Sequence, residues 1–136
     1  MRLLGVTAIL LAAAVGCGSS DGAAAEQPWA NLTITVWPQG GDATLGAKRW
    51  TLRCGPLGGT LPNRARACNR LSTLTNPFRP VPKDALCTQI YGGPEEALIT
   101  GTFRGRQVNA RFNRTDGCQI ARWNRVAVLF PVSAAS

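Results

Sequence analysis

Five cysteines and no histidine decide which chemistry is open to this 136-residue chain. Without an imidazole, a nucleophile–histidine relay has no base. The adjacent carboxylates Glu95 and Glu96 lie in a strand-like stretch that aims their side chains at opposite faces, so they cannot work as a pair. The reading is that the chain is not an enzyme. Zinc is also a poor fit, because its four-cysteine sites use closely spaced pairs and no Cys-x-x-Cys is present. No metal or cofactor is expected, which leaves lipid attachment and disulfide formation as the roles of the thiols.

The first cysteine stands apart from the rest. Behind Arg2, the stretch Leu3 to Gly16 gives an apolar run of about 14 residues, too short for a membrane span and suited to a signal peptide. It ends in Ala14-Val15-Gly16-Cys17, which resembles a bacterial lipobox, where the cysteine thiol is acylated and the chain is cut to leave that cysteine first. The resemblance implies a signal peptide over 1–16, lipid on Cys17, and attachment to the extracytoplasmic face of the cell membrane. Each buried lipid methylene contributes roughly 0.8 kcal/mol, so two or three acyl chains would anchor the protein without a spanning helix. The rival is soluble secretion with cleavage after Ala23-Ala24-Ala25. Residues 17–28 are small, polar and unpatterned, a flexible tether; 29–132 form one domain by length; 133–136 are a tail.

Cys54, Cys68, Cys87 and Cys118 would then meet an oxidising compartment in which disulfides persist. Four cysteines allow three pairings, and spacing alone leaves nested and crossed arrangements open. The simplest joins Cys54 to Cys68 and Cys87 to Cys118, closing a short and a long loop for about 3 and 3.7 kcal/mol in the chain-entropy picture.

Charge adds a further constraint. The chain carries 15 Lys and Arg against 7 Asp and Glu, a net charge of +8, and only Arg2 of those bases precedes Trp29. The bases are scattered rather than gathered into an arm, and no recognition motif accompanies them, so nucleic acid is not an expected partner. A solvated surface that favours anionic lipid or polymer is.

Hydrophobic periodicity supplies the elements. Leu32 to Val36 alternates as a strand and ends at Pro38 and Gly40-Gly41; Arg49 to Cys54 alternates again. Pro62 opens a helix over 63–74, with Ala67, Cys68, Leu71 and Leu74 at helical spacing. Ala97 to Phe103 and Gln107 to Phe112, joined across Arg104-Gly105-Arg106, read as a hairpin, and Arg125 to Phe130 as a last strand. Trp29, Trp37, Trp50 and Trp123 are assigned to core and sheet-face packing. The sum is α+β: a five-stranded antiparallel sheet with helical cover on one face.

The order of parts resembles the subtilisin inhibitor family. The residues that carry the resemblance are Cys54-Gly55-Pro56, Gly58-Gly59-Thr60-Leu61-Pro62, Ala67-Cys68-Asn69-Arg70-Leu71, Cys87-Thr88-Gln89-Ile90-Tyr91, and Cys118. The family resemblance implies the Cys54–Cys68 and Cys87–Cys118 pairing, a sheet with two helices packed against it, and a homodimer. It also implies inhibition of an exported serine protease of the subtilisin type, through a loop bound as a very slow substrate. The reactive bond would be Gln89–Ile90, with Cys87, Thr88 and Tyr91 completing the binding loop. β-Branched Thr88 and Ile90 favour the extended form that a protease cleft pairs with, while Gly92 and Gly93 give backbone freedom at the loop exit. The alternative expectation is a cell-envelope binding lipoprotein that keeps the fold without inhibitory activity.

Overall fold

Alternating β-branched residues build the centre of the domain. β1 (Ala30–Trp37) buries Leu32, Ile34 and Val36 on one face and lies between two antiparallel partners, β2 (Lys48–Cys54) and β4 (Glu96–Phe103). A two-residue β3 (Gly58–Gly59) adds to β2, and β5 (Arg106–Phe112) adds to β4, giving the order β3-β2-β1-β4-β5. The computed structural model describes residues 16, 18, 26–41 and 46–131. Residues 1–15 of the expected signal peptide, Cys17, most of the expected 17–28 tether and the expected 133–136 tail lie outside the described residues. No helix among the described residues is long and apolar enough to cross a membrane.

The central position of β1 explains one departure from simple alternation. Thr35 points to the face away from the core yet is buried, because Arg49 and Leu98 flank it across the neighbouring strands and its Oγ1 accepts from the Arg49 Nε at 3.3 Å. The β4–β5 hairpin turns through Arg104 and Gly105, both at positive φ (48° and 77°), which is the twist a two-residue hairpin needs.

Two helices cover the core face. α1 (Arg64–Ser72) inserts Ala67 and Leu71, and α2 (Gly117–Arg125) inserts Trp123. Trp123 sits 4.3 Å from Phe130, which meets Phe112 of the sheet at 5.4 Å between ring centroids. Trp29 and Trp50 pack at the core margin, while Trp37 faces outward beneath Arg111.

The expected last strand over Arg125–Phe130 does not form. Arg125 ends α2, and Ala127–Leu129 make a single 3-10 turn. Val126, Leu129 and Phe130 are the buried residues there, spaced three and one apart with Trp123 three before, so the apolar run serves a helical surface and not an alternating one. The fifth strand is β3 at the opposite edge, and the second helix implied by the family resemblance is α2. Both disulfides take the expected pairing. Cys54–Cys68 ties β2 to α1, and Cys87–Cys118 ties the long segment after α1 to α2.

Two arginines, Arg104 exposed and Arg122 buried, fix that long segment. Arg104 at the hairpin tip donates to the carbonyls of Leu74 at 2.9 Å and Ser72 at 3.1 Å, closing the C-terminal end of α1 with a cation. Arg122 of α2 donates to the carbonyls of Phe78, Arg79 and Arg111 and stacks 3.8 Å over the Phe112 ring. Burial holds the Arg122 guanidinium below the ordinary arginine pKa, yet it remains charged at any physiological pH.

Candidate functional site

Between α1 and β4 the chain runs from residue 73 to 95 without regular structure. Its first part is strapped down by Arg104, by Arg122 and by the edge-to-face contact of Phe78 with Phe103 at 5.2 Å. Its second part stands out into solvent. Leu86 is fully exposed at 101%, Ile90 is 58% and Tyr91 66% exposed, and Thr88 and Gln89 are exposed between them. The Gln89 Nε2 donates to the Cys87 carbonyl at 3.3 Å, so its amide folds back on the loop.

A short stretch of chain, Arg114 to Cys118, braces this loop on both sides of the Gln89–Ile90 bond. On the upstream side Cys87 is bonded to Cys118, and the Gly117 N–H donates to the Thr88 carbonyl at 2.9 Å. On the downstream side the Gly92 N–H donates to the Arg114 carbonyl at 2.7 Å. The brace is itself held. Asp116 caps α2 by accepting from the Gln119 N–H at 2.9 Å, and the Arg114 guanidinium pairs with Glu95 at 3.1 Å in a partly buried salt bridge.

Glycine is required at two points of this brace. A Cβ at Gly117 would collide with the Thr88 hydroxyl, and a Cβ at Gly92 would meet the Ile120 side chain at 2.9 Å and the Arg114 Cβ at 3.2 Å. The loop exit is therefore packed at Gly92, contrary to the freedom its composition suggests. Steric closeness, not flexibility, is what glycine supplies there.

Cys87, Asp116 and Cys118 come close enough to look like metal ligands, but both sulfurs are spent in the disulfide and the carboxylate serves the helix cap. All five residues expected for the loop lie together on one exposed crest. Sequence reasoning named Cys118 as the anchor of Cys87 but missed Leu86 and the backbone contacts of Arg114 and Gly117. One signal was present: Asp116 followed three residues later by Gln119 is a helix-start pattern.

The site is an exposed loop held on both sides of Gln89–Ile90, on a small disulfide-stapled domain built on an antiparallel sheet. A family model described as subtilisin inhibitor-like matches residues 14–115, and the chain belongs to that family. No curated protein matches the chain.

Proposed function

We propose that the chain inhibits an exported subtilisin-type serine protease by offering Gln89–Ile90 as a bond that is bound tightly and cut slowly. Membership of the subtilisin inhibitor-like family supports a serine protease as partner. The observation that carries the finer reading is the double brace: one segment grips the backbone at Thr88 and at Gly92, on either side of the bond. A protease cleft pairs with an extended backbone, and a loop already attached on both sides of the bond loses less freedom on binding, about 0.5 to 1.5 kcal/mol per side chain that need not be ordered.

The same brace bears on the reaction. Attack on the Gln89 carbonyl would expel the amine of Ile90 and leave an acyl-enzyme at Gln89. Cys87–Cys118 and the Thr88 carbonyl bond would hold the acyl side, and the Gly92–Arg114 bond the amine side, so the amine stays near the acyl carbon and reverses the cut. Leu86, Ile90 and Tyr91 offer apolar surface on both flanks of the bond.

Gln89 is the residue to vary. Its exposed position carries little stability, so Gln89→Leu or Gln89→Met should tighten inhibition of a subtilisin-type enzyme, and Gln89→Lys that of a trypsin-type enzyme, each by about 1 to 3 kcal/mol. Inhibition constants measured beside melting temperatures decide it. Variants that stay folded and inert, or are cut at other bonds, would overturn the proposal.

Cys17 is proposed as the lipid anchor that keeps the inhibitor on the extracytoplasmic membrane face. Cys17→Ser should release the protein from membranes or block processing. Wild-type protein found soluble with Glu26 as its first residue refutes the anchor. A homodimer is the remaining proposal. The sheet face opposite the helices, with Thr33, Thr35, Thr100 and Leu98 in register, is the surface for it, and sedimentation of the purified protein tests it.

A further inference from the structure

Between α1 and the C-terminal end of α2 with the chain that follows it lies a cleft of about 540 Å³, lined by three arginines, Arg66, Arg70 and Arg125, and by no carboxylate-bearing residue. Arg66 and Arg70 are one helical turn apart, so they share a face of α1, and like charges at that spacing repel. Their repulsion is not relieved within the protein: the only salt bridge among the described residues joins Arg114 to Glu95. Arg70 is also held in place, since its Nε donates to the Arg125 carbonyl at 3.0 Å and fixes the direction of the rest of its fork. The beginning of α1 borders the same cleft. Asn63 makes no side-chain cap there and the first turn has no acid, so the positive end of the helix adds to the field.

We infer that this cleft is a binding site for the phosphate group of a small phosphate ester. Guanidinium forks match phosphate oxygens in bidentate fashion, and a phosphate offers three oxygens and nearly two charges where a carboxylate offers two oxygens and one. The volume exceeds what a bare anion fills and falls in the range of small-molecule sites. Ala127, Val128 and Pro131, all half-buried, line the cleft beside the arginines and give the organic part of the ester an apolar wall.

The site is separate from the protease-binding crest. The crest is braced at the start of α2 and the cleft borders its last turn, about 12 Å away along the helix at 1.5 Å per residue. Binding there therefore does not depend on whether the loop inhibits a protease.

The test is calorimetric titration of the full chain in detergent with glycerol 3-phosphate, with glycerol as the uncharged control, at physiological salt. The paired change Arg66→Gln and Arg125→Gln should weaken glycerol 3-phosphate binding by at least about tenfold. The paired change Arg53→Gln and Arg111→Gln, which removes equal charge from the opposite sheet face, should leave it within about twofold. Arg66→Gln alone serves if the first pair is unstable. Equal losses from both pairs, or no binding to the wild type up to about 10 mM, would overturn the site and leave only a diffuse basic surface. Vesicles carrying phosphatidic acid, a lipid phosphomonoester, compared with phosphatidylcholine, separate the sources: binding that falls with the Arg66 and Arg125 changes assigns a lipid headgroup, and binding unaffected by them assigns a soluble ester.

Discussion

Gly117 donates its backbone N–H to the carbonyl of Thr88 at 2.9 Å, so the residue before Gln89 is held by the residue before Cys118. Together with the disulfide one position away, this makes a two-point attachment on the upstream side of the exposed bond. Downstream, Gly92 makes a single attachment to Arg114. The acyl side of the bond is thus held more firmly than the amine side.

A substitution at Gly117 tests that attachment. Because a Cβ would collide with the Thr88 hydroxyl, Gly117→Ala should push the two backbones apart, weaken inhibition by about 1 to 2 kcal/mol and speed cleavage after Gln89. Adding Thr88→Ala removes the colliding hydroxyl and should recover most of the loss. Inhibition constants for the single and double variants make the comparison, and a double variant no better than the single one rejects it.

The two disulfides should fail differently. Replacing Cys54 and Cys68 by Ala removes a bridge between β2 and α1 that touches the core, and should cost about 3 kcal/mol of global stability with the loop left in place. Replacing Cys87 and Cys118 costs about 3.7 kcal/mol in the same chain-entropy picture, and should in addition turn the loop into an ordinary substrate. Denaturant melts combined with timed protease digestion separate the two effects. Equal digestion rates for both pairs would contradict the division of labour.

Arg122 predicts a penalty without any change at the exposed loop around Gln89. Arg122→Met keeps much of the packing over Phe112 but leaves the carbonyls of Phe78 and Arg79 without their donor, for a loss of about 2 to 4 kcal/mol. Arg122→Lys should recover little, because one ammonium cannot reach three carbonyls as a planar fork does. Thermal melts of both variants give the answer, and a fully stable lysine variant would refute the reading.

Much of the sheet was legible because its chemistry is local. Leu32-Thr33-Ile34-Thr35-Val36 alternates, and Arg104-Gly105 sits where a tight hairpin must turn. β3 was not, since two glycines carry no side-chain pattern and pair only because Gly59 can approach the Thr51 backbone. The run from Val126 to Phe130 misled for a different reason: five consecutive apolar residues fit a strand or a helical turn equally, and the choice is made by Trp123 and Phe112, which are distant in sequence or uninformative alone. At the crest, the presented residues could be read from Cys87 onward, whereas the brace could not. Its contacts run through the backbones of Arg114 and Gly117, and backbone hydrogen bonds leave almost no trace in residue type.

The bond from Arg122 to the Arg111 carbonyl also bears on how the domain tolerates crowding. β5 is an outer strand, and an outer strand with open carbonyls is a template on which another molecule can grow a sheet. Here one of those carbonyls is taken by a guanidinium from the protein's own helix, and exposed Arg106 places a cation on the same strand. At the opposite rim the edge strand β3 is two residues long, and the start of β2 that it leaves uncovered carries the exposed cations Lys48 and Arg49. Both margins of the sheet are therefore poor seeds for amyloid-like stacking, a safeguard that matters most where copies of the protein are concentrated.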